Sequence, residues 1–129
     1  MHSNSEAADI AAIEAVVRTY LDGLYEGDTS KLGAAFHAVS HLYSAGPEGV
    51  VDLPRAKWFE MVAERPSPKS KGFPRTDRIV SIDRSGPETA FVKVECSVPP
   101  RYFTDYLLLL KSAERWQIVS KSFRADVRE

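Results

Sequence analysis

The chain has 129 residues, of which 43% are hydrophobic, and its formal net charge at pH 7 is -1. This length suits one domain over residues 1–129, and the balanced charge offers no basic footprint for nucleic acid or for an anionic membrane. No apolar run approaches the roughly 20 residues that a membrane-spanning helix needs, so we expect neither nucleic acid nor a membrane as a partner.

The first residues and the cysteine content both favour the cytoplasm. The chain begins without the basic and apolar segments of a secretory signal. Its single cysteine, Cys96, cannot form an internal disulfide, which fits a reducing compartment. Because Cys96 lies between valines in an alternating pattern, we expect a buried small hydrophobic side chain rather than a catalytic thiolate.

The first predicted element is a long amphipathic helix over residues 6–26. Its apolar side chains keep three-and-four spacing, which is the pattern of a helix with one buried face. Ser3 and Glu6 fit a capping box at its start, and residues 1–5 are expected to form a flexible tail. Gly27 is placed to end the helix.

Small and capping residues mark the connection to a short second helix. Asp28 can cap this helix, which carries Leu32, Ala35 and Phe36 on one side. Gly23 lies inside the first helix although glycine costs about 1 kcal/mol there relative to alanine. It indicates either the close approach of another element or ligand, or a glycine that is merely tolerated.

The middle of the chain predicts two short strands, residues 41–44 and 49–51, followed by a third helix. This helix begins near Asp52, carries Trp58 on its apolar side and ends at Pro66. The proline-rich and basic stretch that follows indicates a solvated connection, with a lid over a binding site as the alternative.

The C-terminal half predicts four successive strands at residues 78–84, 88–98, 102–111 and 115–123. The second of these alternates apolar and polar side chains, as a half-buried strand does. The third carries four consecutive leucines, so that both of its faces are apolar and a partner subunit is expected to cover one of them. The order of helices and hairpins predicts an α+β fold with helices on one face of a curved antiparallel sheet.

Three segments of the chain resemble the nuclear transport factor 2-like superfamily. They are residues 20–28 (YLDGLYEGD), residues 32–37 and residues 115–123 (RWQIVSKSF). Residues 99–106 (PPRYFTDY) are similar to its "putative lumazine-binding" group. The resemblance implies a cone, in which a curved antiparallel sheet of four to six strands carries three helices from the N-terminal half on its concave face. It also implies a pocket between sheet and helices, and a homodimer formed through the convex face. Because this fold hosts isomerases, dehydratases, cyclases, transport factors and association domains, it does not decide the function.

Strand registers predict which side chains would line the pocket. We pair Val98 with Tyr102 across the first hairpin and Ser112 with Arg115 across the second, and count along the strands. The more apolar face is assigned to the pocket, which is expected to take a small apolar or aromatic ligand. The predicted pocket residues are Tyr20, Leu24, His37, Trp58, Val94, Thr104, Tyr106, Lys121 and Phe123.

The opposite face mixes apolar and charged side chains and is predicted to form the homodimer interface. The residues assigned to this interface are Lys93, Glu95, Asp105, Leu107, Leu109, Trp116 and Ile118. A one-residue error in the first hairpin would exchange the faces of residues 88–98 relative to the other strands.

The function that we expect is that of a dimeric small-molecule-binding domain without catalysis. The resemblance implies that the steroid isomerases of this superfamily use an aspartate after the second helix as their base, but residues 36–40 (FHAVS) contain none. An acid–base enzyme of the dehydratase, isomerase or cyclase type would instead need His41 with Tyr43 or Tyr106, and is the alternative. A protein-association module is the third possibility. No histidine spacing typical of a metal site is present, and no cofactor is expected.

Overall fold

The computed structural model describes the backbone of residues 2–128 and the side chains of residues 6–128. Three helices and six strands make up this part of the chain. In chain order they are α1 (His2–Glu26), α2 (Thr29–Ala35), β1 (Phe36–Gly46), β2 (Gly49–Pro54), α3 (Arg55–Glu64), β3 (Arg78–Ser85), β4 (Thr89–Val98), β5 (Arg101–Ser112) and β6 (Arg115–Val127).

The strands form one curved, open sheet in the order β2-β1-β6-β5-β4-β3. Neighbouring strands are antiparallel except for β1 and β6, which run parallel, so the sheet is mixed rather than wholly antiparallel. The helices contact one face of this sheet, which we call the concave face, and leave the convex face uncovered. The predicted α+β class, the helices on one face and the number of strands are confirmed.

Helix α1 begins at His2, before the capping box that we predicted at Ser3 and Glu6. Residues 2–5, expected in a tail, therefore belong to the first turns of this helix, while Met1 lies outside the described residues. The predicted apolar stripe is buried against the sheet, with Ile13, Val17, Tyr20, Leu21 and Leu24 all in the core. Along the described helices, no stretch is both long and apolar enough to cross a bilayer.

The glycine inside α1 is explained by the close approach of α2. A Cβ atom on Gly23 would lie 2.9 Å from Leu32 Cδ2 and 3.1 Å from the Asp28 carbonyl oxygen. Gly27 ends α1 with a φ of 70°, a left-handed conformation that glycine adopts without steric cost. Asp28 then caps α2 as predicted, since its carboxylate accepts a hydrogen bond from the Ser30 backbone N–H at 2.9 Å.

The buried carboxylate of Asp9 joins helix α1 to side chains of the sheet. This carboxylate accepts hydrogen bonds from Trp116 Nε1 at 3.1 Å and Lys111 Nζ at 3.3 Å, and it pairs with Arg84 at 2.9 Å. The hydrogen bond from Trp116, together with the two cations, holds the pKa of Asp9 below its usual range. A polar contact set thus joins α1 to β3, β5 and β6.

The β4–β5 hairpin differs from our prediction by one residue. Val98 pairs with Arg101 across a two-residue turn, Pro99 and Pro100, instead of pairing with Tyr102 across a three-residue loop. Side chains alternate along a strand, so this shift places every β4 residue opposite a β5 residue of the other predicted face. Val94, for example, faces Asp105 rather than Tyr106.

The β5–β6 hairpin has the predicted turn but contains a bulge. Ser112 pairs with Arg115 as expected, and Ala113 and Glu114 form the turn with positive φ angles of 52° and 63°. The register then shifts between Leu108 and Leu109. A bulge adds one residue to one strand and moves all later pairs.

Candidate functional site

A cleft of about 410 Å³ opens near the ends of β3 to β6, and a smaller cavity lies elsewhere on the molecule. The charged side chains of the cleft neutralise one another, since Arg78 pairs with Glu95 at 2.7 Å and Arg124 with Asp126 at 3.2 Å. These exposed pairs leave little net charge with which to hold a ligand.

The smaller cavity, of about 280 Å³, lies between the concave face and α3, and we call it the cone cavity. Most of its wall is aliphatic or aromatic. The lining residues are Leu24, Leu42, Leu53, Trp58, Met61, Arg65, Arg101, Phe103, Lys121, Phe123 and Ala125. An apolar wall with a few polar groups is the usual composition of a small-molecule site.

Beneath the cone cavity lies a buried polar cluster formed by Tyr20, Cys96, Asp105 and Lys121. The Tyr20 hydroxyl donates to Asp105 Oδ2 at 2.5 Å and accepts from Lys121 Nζ at 2.9 Å. The Cys96 thiol lies 3.5 Å from the same carboxylate oxygen, and Lys121 Nζ lies 3.8 Å from it. Asp105 Oδ1 has no hydrogen-bond partner among the described residues.

Burial sets the protonation of this cluster. Tyr20 and Asp105 are fully buried, and Cys96 is 4% exposed. Burial and the negative charge of Asp105 raise the pKa of Tyr20 and of Cys96 well above their usual ranges. Both side chains are therefore neutral and protonated at physiological pH. We therefore expect Cys96 to react slowly, and the Tyr20 hydroxyl is engaged in its hydrogen bond to Asp105. Neither group is placed to activate a ligand.

Lys121 connects the buried polar cluster to the cone cavity, because it belongs to both. Its Nζ atom lies over four aromatic rings, at 4.8 Å from the centroid of Trp58, 5.0 Å from Phe123, 5.1 Å from Tyr20 and 5.9 Å from Phe103. Ring faces attract a cation, which compensates in part for its removal from water.

Two arginines lie at the more exposed end of the cone cavity. Arg101, at the start of β5, is exposed, and Arg65, which follows α3, is half-buried. Burial lowers the pKa of Arg65 below its usual range, and the like charge of Arg101 lowers it further. In the part of the chain that the structure describes, neither guanidinium pairs with a carboxylate.

Four of the predicted pocket residues line the cone cavity: Leu24, Trp58, Lys121 and Phe123. Tyr20 and Val94 lie in the core beneath it, so they support the floor without reaching the cavity. His37 is not among the lining residues either; its Nδ1 atom accepts a hydrogen bond from the Val39 backbone N–H at 3.1 Å.

Thr104 and Tyr106 were predicted in the pocket, and this was wrong because of the two register differences. Tyr106 pairs with Lys93 and Ser122 on the convex face, where it is 43% exposed. Thr104 lies two residues away on the same face and borders the larger cleft.

The same register differences overturn most of the predicted interface residues. The concave face, not the convex face, carries the buried side chains of Asp105, Leu107, Leu109, Trp116 and Ile118. Lys93 and Glu95 do lie on the convex face.

His41 and Tyr43, the predicted catalytic pair, point away from the cone cavity. Between them Leu42 lines the cavity, and alternation along β1 therefore directs both neighbours to the convex face. There the two rings stack with centroids 6.0 Å apart, and His41 Nδ1 is hydrogen-bonded to Asp52 Oδ1 at 2.5 Å. The structure does not bring His41 within reach of Lys121 or of the cavity.

Sequence reasoning missed Arg65 and Arg101 as candidate site residues. Both stand at the ends of elements, Arg65 just before the proline that ends the third helix and Arg101 just after two prolines. The signal in the sequence that could have indicated them was the position of both arginines at the ends of predicted elements. Among the described residues, no group of three histidine, cysteine, aspartate or glutamate side chains is arranged to hold a metal ion.

Comparison with known proteins identifies the fold that this geometry represents. A nuclear transport factor 2-like protein of unknown function from Silicibacter pomeroyi DSS-3 has a TM-score of 0.82 and 24% identity, over 94% of this chain and 98% of that one. A second such protein, from Shewanella baltica OS155, has a TM-score of 0.84 and 21% identity, over 95% and 97% of the two chains.

A ketosteroid isomerase-like protein from Erwinia carotovora atroseptica SCRI1043 is also similar in structure. Its TM-score is 0.68 and its identity 21%, over 92% of this chain and 96% of that one. A search of curated proteins finds no significant match. At these identities the structural likeness establishes the cone fold and not an activity.

The sequence itself matches a protein family over residues 8–124. This range includes most of α1, all of α2 and α3, the buried polar cluster and every lining residue of the cone cavity except Ala125. The resemblance noted from the sequence is thereby confirmed. The chain belongs to the family described as "Putative lumazine-binding", and its fold is that of nuclear transport factor 2-like proteins.

Proposed function

We propose that this protein binds a small, partly aromatic molecule in the cone cavity and does not catalyse a reaction on it. The observation that carries the proposal is the chemistry of the cavity wall. Its described side chains are apolar or aromatic apart from two arginines and one lysine, and no carboxylate, imidazole or thiol lies among them. Such a wall holds and orients a ligand but lacks the usual proton acceptors of an acid–base enzyme.

The size of the cavity supports a compact ligand. A cavity of about 150 Å³ in another protein holds benzene, and the cone cavity measures about 280 Å³. One substituted ring or a small bicyclic system therefore fits. Trp58, Phe103 and Phe123 supply ring faces against which a planar ligand can pack.

The positions of the candidate catalytic groups argue against the acid–base enzyme. His41 lies on the convex face and is held by Asp52, so it has no path to a ligand in the cavity. The association module is disfavoured as well, because a module of that kind predicts a cone filled by its own side chains, whereas an open cavity of about 280 Å³ is present.

The family description names lumazine, a bicyclic pteridine that matches the cavity in size. A pteridine presents both hydrogen-bond donors and acceptors at its edge. The polar side chains of the cavity are all donors, namely Trp58, Arg65, Arg101 and Lys121. Lumazine therefore belongs in a ligand screen as one bicyclic candidate among others.

A thermal unfolding screen tests the binding proposal. Mono- and bicyclic aromatic compounds are added to the protein, and a true ligand at 100 times its Kd stabilises it by about 2.7 kcal/mol. Ala125→Trp, which narrows the cavity, should abolish the effect, whereas the matched control Ala12→Trp on the exposed side of α1 should keep it. A complete absence of stabilisation across the screen would refute the proposal. Mass spectrometry of the compounds after incubation tests for a reaction. If a bound compound is converted chemically, the protein is an enzyme and the non-catalytic proposal is wrong.

We also propose that the convex face pairs with a second copy of the chain. Support comes from its exposed apolar side chains: Tyr106, Leu108 and Leu110 are 43%, 47% and 44% exposed. They form a continuous stripe along β5, and the aromatic ring of Phe91 stacks on Tyr106 with centroids 5.8 Å apart. An apolar stripe of this extent is typical of an interface.

The solution mass tests the dimer. We expect about twice the 14.4 kDa of one chain in light scattering after size exclusion. Leu108→Glu should yield a folded monomer, while Ile10→Glu, at a partly exposed apolar position on α1, should remain dimeric. A monomeric parent protein at micromolar concentration would contradict the proposal.

A further inference from the structure

We infer that the ligand of the cone cavity is an acid, a small aromatic carboxylate whose charged group lies between Arg65 and Arg101 while its ring packs inside. This inference rests on the proposed binding function and specifies the chemical class of the ligand. It is carried by the distribution of charge around the cavity and by the exposure of each cation.

The cavity offers hydrogen-bond donors and, among its described side chains, no acceptors. Arginine and lysine have no acceptor atom, and the indole of Trp58 is a donor as well. A ligand with donors at its edge would leave them without side-chain partners in a largely apolar site, which is costly. A ligand that presents acceptor atoms or negative charge is favoured instead.

The three cations are not equivalent, because one of them already has a counter-ion. Lys121 Nζ lies 3.8 Å from Asp105 Oδ2 and donates to the Tyr20 hydroxyl. Its charge is therefore largely balanced from beneath the cavity. Arg65 and Arg101 have no such partner in the described part of the chain, so they carry the uncompensated charge of the site.

The two guanidinium groups also repel each other. Both groups line the cone cavity, and the like charge of Arg101 adds to the effect of burial in lowering the pKa of Arg65. An anion between them replaces one repulsion by two attractions. The planar fork of a guanidinium matches a carboxylate, with which it forms paired, charge-assisted hydrogen bonds.

Exposure fixes the orientation of the ligand. Lys121 and Trp58 are each 4% exposed and mark the closed end of the cavity, whereas Arg101 is exposed and marks the open end. A carboxylate at the open end remains partly hydrated, while the ring removes apolar surface from water against Phe103, Phe123 and Trp58. The opposite orientation would place the acid beside a lysine that is already paired.

Titration calorimetry with matched acids and amides tests the inference. The probes are benzoate and 2-naphthoate, each compared with its neutral carboxamide of the same shape. We expect the acid to bind at least about tenfold more tightly than the amide, which corresponds to charge-assisted hydrogen bonds. This preference should shrink as the ionic strength rises, because salt screens charges near the surface.

Arginine variants locate the charge. Arg65→Gln and Arg101→Gln should each weaken binding of the acid by about tenfold and leave binding of the amide within about threefold. Arg18→Gln, which removes the same charge from an exposed position on α1, serves as the control and should change neither. Because Arg101 is exposed, its variant should fold even if Arg65→Gln does not.

The outcomes separate the two proposals. If acid and amide bind equally, or if the arginine variants weaken both to the same extent, the acid inference is overturned and the binding function stands. If neither kind of probe binds while other aromatic compounds do, the acid inference is again overturned. If no aromatic compound binds at all, both proposals fail together.

Discussion

Lys121→Met should destabilise the fold strongly, because it removes the counter-ion of a fully buried carboxylate. Lys121 Nζ and Asp105 Oδ2 are 3.8 Å apart, and Asp105 has no exposed surface. At an effective dielectric constant of about 20, two unit charges at this distance attract each other by about 4 kcal/mol. Methionine is similarly long and unbranched, so little packing is lost. We therefore expect a loss of about 3 to 5 kcal/mol, as for other broken buried ion pairs.

Replacing Asp105 should destabilise the fold less than replacing Lys121. Asp105→Asn leaves an uncompensated lysine, but Lys121 lines the cone cavity and can be hydrated from it. Asparagine also retains an acceptor for the Tyr20 hydroxyl. The expected loss is therefore smaller, about 1 to 3 kcal/mol. The double variant Lys121→Met/Asp105→Asn should be more stable than Lys121→Met alone, since it leaves no buried charge.

Urea unfolding followed by far-ultraviolet circular dichroism measures these differences. A double-mutant cycle should give a coupling of about 2 kcal/mol or more. If Lys121→Met costs less than about 1 kcal/mol, or if the cycle shows no coupling, Asp105 is not an ionised group held by Lys121.

Three further predictions concern the core. Gly23→Ala should destabilise by about 1 to 2 kcal/mol despite a better helix propensity, because its Cβ would lie 2.9 Å from Leu32, and urea unfolding should show the loss. Folding lowers the pKa of Asp9 from its ordinary value of 3.8. The ionised carboxylate therefore stabilises the fold fully above that value, and this stabilisation is lost as the pH falls through the lower folded-state pKa. The difference in unfolding free energy between the parent protein and Asp9→Asn should accordingly shrink below about pH 4. A difference in unfolding free energy that stays constant down to pH 2 would contradict this. Burial raises the pKa of Cys96, so iodoacetamide at pH 8 should label the native protein about 100 times more slowly than the unfolded chain.

The helices and strands could be predicted largely from local patterns. The apolar spacing of α1, the capping carboxylate of Asp28 and the alternation of β4 each depend on neighbouring residues in the chain, and each element is present. Their ends were less predictable. Phe36, predicted on the second helix, has extended backbone angles and begins β1, because its ring packs in the core against Tyr20 and Trp58.

The site could be predicted only in part, because strand registers decide which side chains share a face. The turn at Pro99 and Pro100 uses one residue fewer than expected, and a bulge lies near Leu108. Each feature shifts the pairing by one residue, and one residue exchanges the faces. The leucine run could not reveal the error, since it is apolar on both faces. Asp105, the residue whose position mattered most, was consequently placed on the wrong side of the sheet.

The structure separates two uses of positive charge within one small site. Lys121 balances Asp105, and both its hydrogen bond and its ion pair are made within the chain. It therefore stabilises the fold more than it selects a ligand. Arg65 and Arg101 have no comparable partner in the described part of the chain, and they lie at the more exposed end of the cone cavity. The Tyr20 hydroxyl already donates its hydrogen bond to Asp105, so it has no donor left for a ligand. Under the proposed function, recognition in the cone cavity therefore depends on the two arginines and the aromatic wall, an arrangement suited to holding an anion rather than to moving a proton.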